Sequence, residues 1–170
     1  MNAPLFEATT TNYVLFFDGC CKGNPGPGGA GAVIYKDGVE IWSDSTFIGK
    51  KITNNIAEYT GLIIGIKQAI QMDIKALTVK GDSLLVIKQM KGEFKVNSEN
   101  LIGIYEECKK LANTFDIITF QHIYRRFNTR ADELSNQGII GFNGFENDKT
   151  KTEKSKPKPK PKKNRRKTKQ

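Results

Sequence analysis

One aspartate in the middle of an apolar strand limits what this chain can fold into. Tyr13–Cys20, YVLFFDGC, is dense in β-branched and aromatic residues, as a buried strand is, and Asp18 stands inside it. A carboxylate buried there is costly unless it is paired or bound to a metal. The fold must therefore bring partners to Asp18 from elsewhere in the chain. The stretch that follows, CKGNPGPGGAG, is too rich in glycine and proline for a helix, and Gly31–Tyr35 resumes the strand character.

A glycine-rich loop after a strand invites comparison with a phosphate cradle, but three details oppose it. No Gly-Lys-Ser/Thr follows, Pro25 and Pro27 remove N–H donors, and the next element reads as a strand instead of a helix. A wide structural turn suits the composition and leaves Asp18 unexplained.

The rest of the chain gives the architecture. Lys36–Gly38 is a hairpin turn and Val39–Ile48 a third strand, so the chain opens as an antiparallel meander. Thr53, Asn54 and Asn55 are plausible N-caps for a helix in which Ile56, Tyr59, Ile63, Ile66 and Ile70 recur at helical spacing, to about Met72. Ala76–Lys80 is a short strand that turns at Gly81–Ser83 into a helix reaching about Lys91. Leu101, Ile104, Tyr105, Cys108 and Leu111 mark a further helix with Ser98 as cap, Ile117–Tyr124 is the last strand, and Ala131–Ile140 the last helix. The fold class expected is α/β, a five-stranded mixed sheet with three antiparallel strands, then parallel ones, flanked by helices.

The net charge of +9 belongs to one end. Residues 149–170 hold 12 of the 27 Lys and Arg and a single acid, Glu153, leaving 15 basic and 17 acidic groups in the rest. KPKPKPKKNRRKTK repels itself and has nothing apolar to bury, so residues 146–170 are expected to be a disordered basic tail, after a domain over 13–145 and a flexible leader over 1–12. No stretch approaches the roughly 18 apolar residues of a membrane span, and the leader lacks the pattern of a signal peptide. Cys20, Cys21 and Cys108 show neither disulfide nor zinc spacing. An intracellular protein is expected, cytoplasmic or nuclear, since PKKNRRK looks like a nuclear localisation segment.

Three acids stand where partners of Asp18 are needed. Glu58 lies in the first turn of the long helix, with Gly61 and Gly65 three and seven residues on, so that face is small enough to press against a neighbour. Asp82 stands just past the carboxyl end of a strand, where open α/β sheets form ligand crevices, and Asp132 opens the last helix. Each alone also reads as ordinary: Asp82 and Asp132 as helix-start acids, Glu58 as a solvated one.

Taken together, FFDGCCKGNPGPGGAG (16–31), TNNIAEYTGL (53–62), GDSLLVIKQ (81–89) and NTRADELSNQ (128–137) resemble the ribonuclease H family, type 1, in order and distance, over about Tyr13–Gly141. The resemblance implies an endonuclease hydrolysing the RNA strand of RNA/DNA hybrids to 5′-phosphate and 3′-hydroxyl ends. Asp18, Glu58, Asp82 and Asp132 would be its catalytic and metal-binding carboxylates. An all-oxygen set suits two Mg²⁺ ions, with Mn²⁺ as substitute; Asp18 would bridge them, Glu58 and Asp82 holding one and Asp132 the other. Substrate contacts carried over are Gly19, Cys21, Lys22, Asn24, Asn54, Asn55 and Asn128, with Thr53 on the DNA-strand phosphate. The glycines and prolines of the opening loop would let backbone approach the ribose.

Departures from the family pattern are equally specific. The loop YRRFNTRAD has no histidine, so Arg125 or Arg126 is the candidate to reach the scissile phosphate, while the lone His122 reads as a packed or surface residue of the last strand. Leu84 stands where some relatives have a glutamine. A basic protrusion is missing, because Lys88, Lys91 and Lys95 alternate with Glu93 and Glu99. The tail is then expected to supply attraction to nucleic acid phosphates, on a monomer. The alternatives are a catalytically weak nucleic-acid-binding module and a different nuclease of the same superfold.

Overall fold

The structure, a computed structural model, describes residues 12–154, with side chains described as far as residue 141. Most of the expected leader and the last part of the expected tail, residues 155–170, lie outside the described residues. The meander is built from β1 (Tyr13–Cys21), β2 (Gly26–Lys36) and β3 (Val39–Ile52). Between β2 and β3 only Asp37 and Gly38 turn the chain, both at positive φ (51° and 82°), the conformation that suits a tight hairpin to the twist of its strands.

After the meander come α1 (Asn54–Gln71), β4 (Ala76–Gly81), α2 (Leu84–Met90), α3 (Glu99–Ala112) and β5 (Ile117–His122). A 3-10 turn (Arg125–Phe127) then leads into α4 (Thr129–Lys154). The sheet order is β3-β2-β1-β4-β5, antiparallel across the meander and parallel from β1 through β4 to β5. The chain thus has the five-stranded mixed sheet its pattern predicts.

Alternation along β1 sorts its side chains between two layers. Leu15 and Phe17 are fully buried in the main core with Tyr59, Leu62 and Ile66 of α1, Val79 of β4 and Val86 of α2. Phe16 faces the other layer, where Val33, Ala131 and Leu134 make a smaller cluster under α4. Asp18, two residues beyond Phe16, falls on the α4 side, at the carboxyl end of the strand.

Two expectations change. The glycine-rich stretch is not a loop up to Ala30, because β2 already begins at Gly26. A Cβ on Gly29 would lie 2.1 Å from the Ser135 carbonyl oxygen, and one on Gly31 2.5 Å from the Ser135 nitrogen. These glycines let α4 sit directly on β2, so the surface left for a ligand is the turn over residues 22–25. The last helix also runs past Ile140 and past the boundary set at Phe145, to Lys154. No proline interrupts the chain there until Pro157, so charge alone does not end the helix. Among the described residues no helix is long and apolar enough to cross a membrane, and Cys20, Cys21 and Cys108 are free thiols.

Candidate active site

The first acid is placed by the sheet. Phe16 of β1 pairs with Lys80 of the parallel β4, so the same register carried two residues on sets Asp18 beside Asp82. Asp18 is 4% exposed and its Oδ2 accepts a hydrogen bond from Ser135 Oγ on α4 at 2.5 Å. Glu58 arrives from the other layer. Thr53 caps α1, its hydroxyl accepting from the Ile56 N–H at 3.4 Å, which makes Asn54 and Asn55 the first helical residues and puts Glu58 beyond the first turn. The expected pressing surface is real: a Cβ on Gly61 would lie 2.5 Å from the Asp18 carbonyl oxygen, and one on Gly65 2.3 Å from Leu15 Cδ1. Gly19 is as constrained, since a Cβ there would lie 2.0 Å from the Ala57 carbonyl carbon, and its N–H hydrogen-bonds the Glu58 carboxylate. Gly19 therefore serves packing and Glu58 placement.

Asp18, Glu58 and Asp82 each offer an oxygen, and the three lie within 4.8 Å of one another. Asp132 is not in this trio; its Oδ1 takes the Arg125 guanidinium, and it stands to one side in the first turn of α4. The three acids, Cys21, Asn54, Arg125 and Asn136 line one open cleft of about 360 Å³. Asn24, Thr53 and Asn55 instead line a neighbouring polar hollow of about 290 Å³ with Ser98 and Asn100. The Asn24 side chain also accepts from the Asn54 N–H at 3.2 Å, fastening the turn after β1 to the start of α1. Lys22 is exposed in that turn.

The remaining carried-over residues are separated by the structure. Asn128 is 1% exposed. Its Nδ2 donates to the Phe17 carbonyl at 2.9 Å and to Asp82 Oδ1 at 2.6 Å, so it ties the β4 carboxylate to the β1 backbone. The amide expected to contact substrate is thus engaged within the protein, where it positions Asp82. Arg125 and Arg126 also part company: Arg125 lines the acidic cleft, whereas Arg126 turns away over Tyr124 and Phe127. His122 is exposed, with Nε2 3.2 Å from the Asp82 carbonyl oxygen. Ser135 and Asn136, which donates to the Asp132 carbonyl at 2.8 Å, were not singled out from the sequence, although both lie one turn after Asp132.

The trio fits a hard divalent cation. All donors are oxygens, and Glu58 Oε2 is buried with no hydrogen-bond partner. Burial, with the Asp18 and Asp82 charges adding, pushes the Glu58 carboxyl up to about 9, and burial raises Asp18 to about 6 against the pull of the Ser135 hydrogen bond. Both folded values exceed the ordinary carboxyl value near 4 of an unfolded chain. Their contribution to stability is thus complete below that value and is lost as pH rises through about 6 and then about 9. In chelator the thermal midpoint is expected to fall steadily from mildly acid to alkaline pH, with added Mg²⁺ or Mn²⁺ restoring it at the alkaline end. Glu58→Gln should remove most of the slope; thermal denaturation over a pH series checks this, and a flat parent profile contradicts it.

The fold and this carboxylate cluster, set on the central strand β1 and just past the end of its parallel neighbour β4, define a class, the ribonuclease H-like α/β domains. Residues 16–138 match the family model described as reverse transcriptase-like. The bifunctional protein Rv2228c of Mycobacterium tuberculosis is 38% identical over 127 residues, covering 74% of this chain and 35% of that protein. The solved N-terminal RNase H domain of Rv2228c superposes with a TM-score of 0.74 at 36% identity, covering 78% of this chain and 96% of the other. Ribonuclease H of Pseudomonas savastanoi pv. phaseolicola is 33% identical over 149 residues, 78% of this chain and 95% of that one. LC11-RNase H1, solved in complex with an RNA/DNA hybrid, has a TM-score of 0.71 at 33% identity, over 76% and 98% of the two chains. The chain spans about a third of the length of the mycobacterial relatives it matches. It belongs to the ribonuclease H family, type 1.

Proposed function

We propose that this chain is a metal-dependent endoribonuclease that hydrolyses the RNA strand of RNA/DNA hybrids, leaving 5′-phosphate and 3′-hydroxyl ends. The observation that carries it is the trio of carboxylate oxygens within 4.8 Å, drawn from β1, α1 and the end of β4, in a family with a member solved on a hybrid. Asp18, Glu58 and Asp82 would hold one divalent cation, and Asp132 with Asp18 would hold a second. Bound Mg²⁺ or Mn²⁺ supplies Lewis acidity at a phosphoryl oxygen and makes water a stronger nucleophile.

The protein's own share is placement. Ser135 and Asn128 hold Asp18 and Asp82 at their positions through the hydrogen bonds described above. Arg125, at the rim of the acidic cleft, would exchange its ion pair with Asp132 for the scissile phosphate once Asp132 holds a cation. Cys21, Lys22, Asn24 and Asn54 present donors and acceptors to the ribose edge of the RNA strand, where the 2′-hydroxyl distinguishes RNA from DNA. Thr53 and Asn55, in the adjoining polar hollow, take a phosphate of the DNA strand. The free thiols and the PKKNRRK segment support an intracellular setting, cytoplasmic or nuclear.

A cleavage assay with Mg²⁺ and Mn²⁺ over RNA/DNA hybrid, double-stranded RNA, duplex DNA and DNA carrying one ribonucleotide tests the reading. Cleavage of the hybrid's RNA strand to 5′-phosphate ends is expected. Comparable cutting of duplex DNA would point to another nuclease of the superfold, and hybrid binding with no cleavage to a binding module.

The Lys- and Arg-rich end of the chain lends phosphate attraction to an otherwise slightly acidic domain. Deleting residues 155–170, which leaves α4 whole, is expected to raise KM at physiological salt with kcat unchanged, a difference that vanishes at high salt. An unchanged KM would separate this segment from substrate binding.

A further inference from the structure

We infer that the connection from β5 to α4, with the sheet beside it, forms a stacking surface for unpaired nucleotides, set apart from the acidic cleft. The cations around this connection divide into two kinds. Arg125 and Arg130 are spent on carboxylates, Arg125 on Asp132 and Arg130 on Glu40 and Glu133. Arg126 and Lys80 have no carboxylate partner among the described residues; instead each lies over an aromatic face. The Arg126 guanidinium is 5.3 Å from the Tyr124 ring centre and 4.8 Å from that of Phe127, and the Lys80 ammonium 5.7 Å from that of Phe16.

The rings are unusually open. Tyr124 is 68% and Phe127 60% exposed, on a short 3-10 turn that gives neither an apolar neighbour layer. Phe127 also walls a hollow of about 320 Å³ whose other walls include Phe16, Tyr35 and Lys80, large enough for a planar base. At its opposite end the surface starts beside the cleft, because Tyr124 packs edge-on against His122, whose ring contacts the Asp82 backbone. Open ring faces alternating with unpaired cations match the two repeating chemistries of a single strand, base faces and phosphates. An apolar protein partner would leave Arg126 and Lys80 buried without counter-charge.

The occupant is an unpaired strand running on from the duplex held at the acidic cleft. Its placement relative to a hybrid rests on the ribonuclease reading; the binding itself does not. The test uses the full chain in chelator, so cleavage plays no part, and titrates it into a single-stranded oligodeoxynucleotide carrying 2-aminopurine and into an abasic oligomer of equal length. The expected result is about tenfold or tighter binding of the base-bearing strand, with quenched 2-aminopurine emission. In Tyr124→Ala/Phe127→Ala that preference should disappear while abasic binding and thermal midpoint stay unchanged. Equal wild-type affinity for the two oligomers overturns the inference and needs no variant. A folded double variant that keeps the preference also overturns it. Hybrid cleavage by the same wild-type preparation is read separately: its absence would sink the ribonuclease reading and leave base-dependent binding standing.

Discussion

Asp18→Asn is expected to abolish hybrid cleavage while hybrid binding stays close to that of the parent. Asp18 is the acid that both proposed cations share, so its loss should exceed the roughly 10- to 100-fold that follows loss of an outer hydrogen-bond partner of a metal ligand. Ser135→Ala, which removes the 2.5 Å hydrogen bond to Asp18 together with the 2.9 Å one to the Asp132 carbonyl and leaves every carboxylate in place, supplies that milder comparison. The asparagine keeps the shape, and its oxygen still accepts from Ser135, so the fold survives. In chelator at neutral pH the variant should even melt higher, because one of three crowded carboxylates has lost its charge. Single-turnover cleavage beside equilibrium binding decides the matter; retained cleavage would remove Asp18 from the centre of the site.

Gly61→Ala is expected to lower the thermal midpoint by several degrees and to reduce activity, although alanine is the better helix former. The new Cβ would stand 2.5 Å from the Asp18 carbonyl and 3.0 Å from that of Gly31, both backbone atoms that cannot rotate away. Overpacking of this kind costs about 1–3 kcal/mol, more than the ~1 kcal/mol gained in helix propensity. Gly103→Ala in α3 is the control, since nothing lies within 4 Å of its added Cβ. There the propensity gain stands alone and the midpoint should rise. Because Gly61 sits one turn after Glu58, the forced movement of α1 also displaces a carboxylate. Equal effects of the two substitutions on stability would contradict the close approach of α1 to β1.

How much of this was legible in the sequence follows from how local each signal is. The buried charge of Asp18, the Asp37-Gly38 hairpin and the isoleucine spacing of α1 are properties of neighbouring residues, and the architecture could be read from them. The glycines of β2 misled because a glycine needed for a turn and one needed beneath a helix look the same; only the Ser135 backbone 2.1 Å from a Cβ on Gly29 separates them. Asn128 misled differently. It carries over with the NTRADELSNQ resemblance as a substrate contact, whereas its amide is folded inward across 111 residues to the Phe17 carbonyl. The division of labour between Arg125 and Arg126 depends on the direction of a three-residue turn, which adjacent identical residues cannot encode.

The attachment of α4 also bears on how such a chain is made. The trio Asp18, Glu58 and Asp82 comes from the first half of the polypeptide, but the hydroxyl that holds Asp18, the amide that holds Asp82 and the fourth acid all come from residues 128–135. During synthesis the acids leave the ribosome well before their supports. A nascent chain stopped short of Ser135 would carry three carboxylates and a bare β2 surface where α4 belongs. Maturation of the cleft therefore waits on residues 128–135, a built-in delay between making the ligands and arming them.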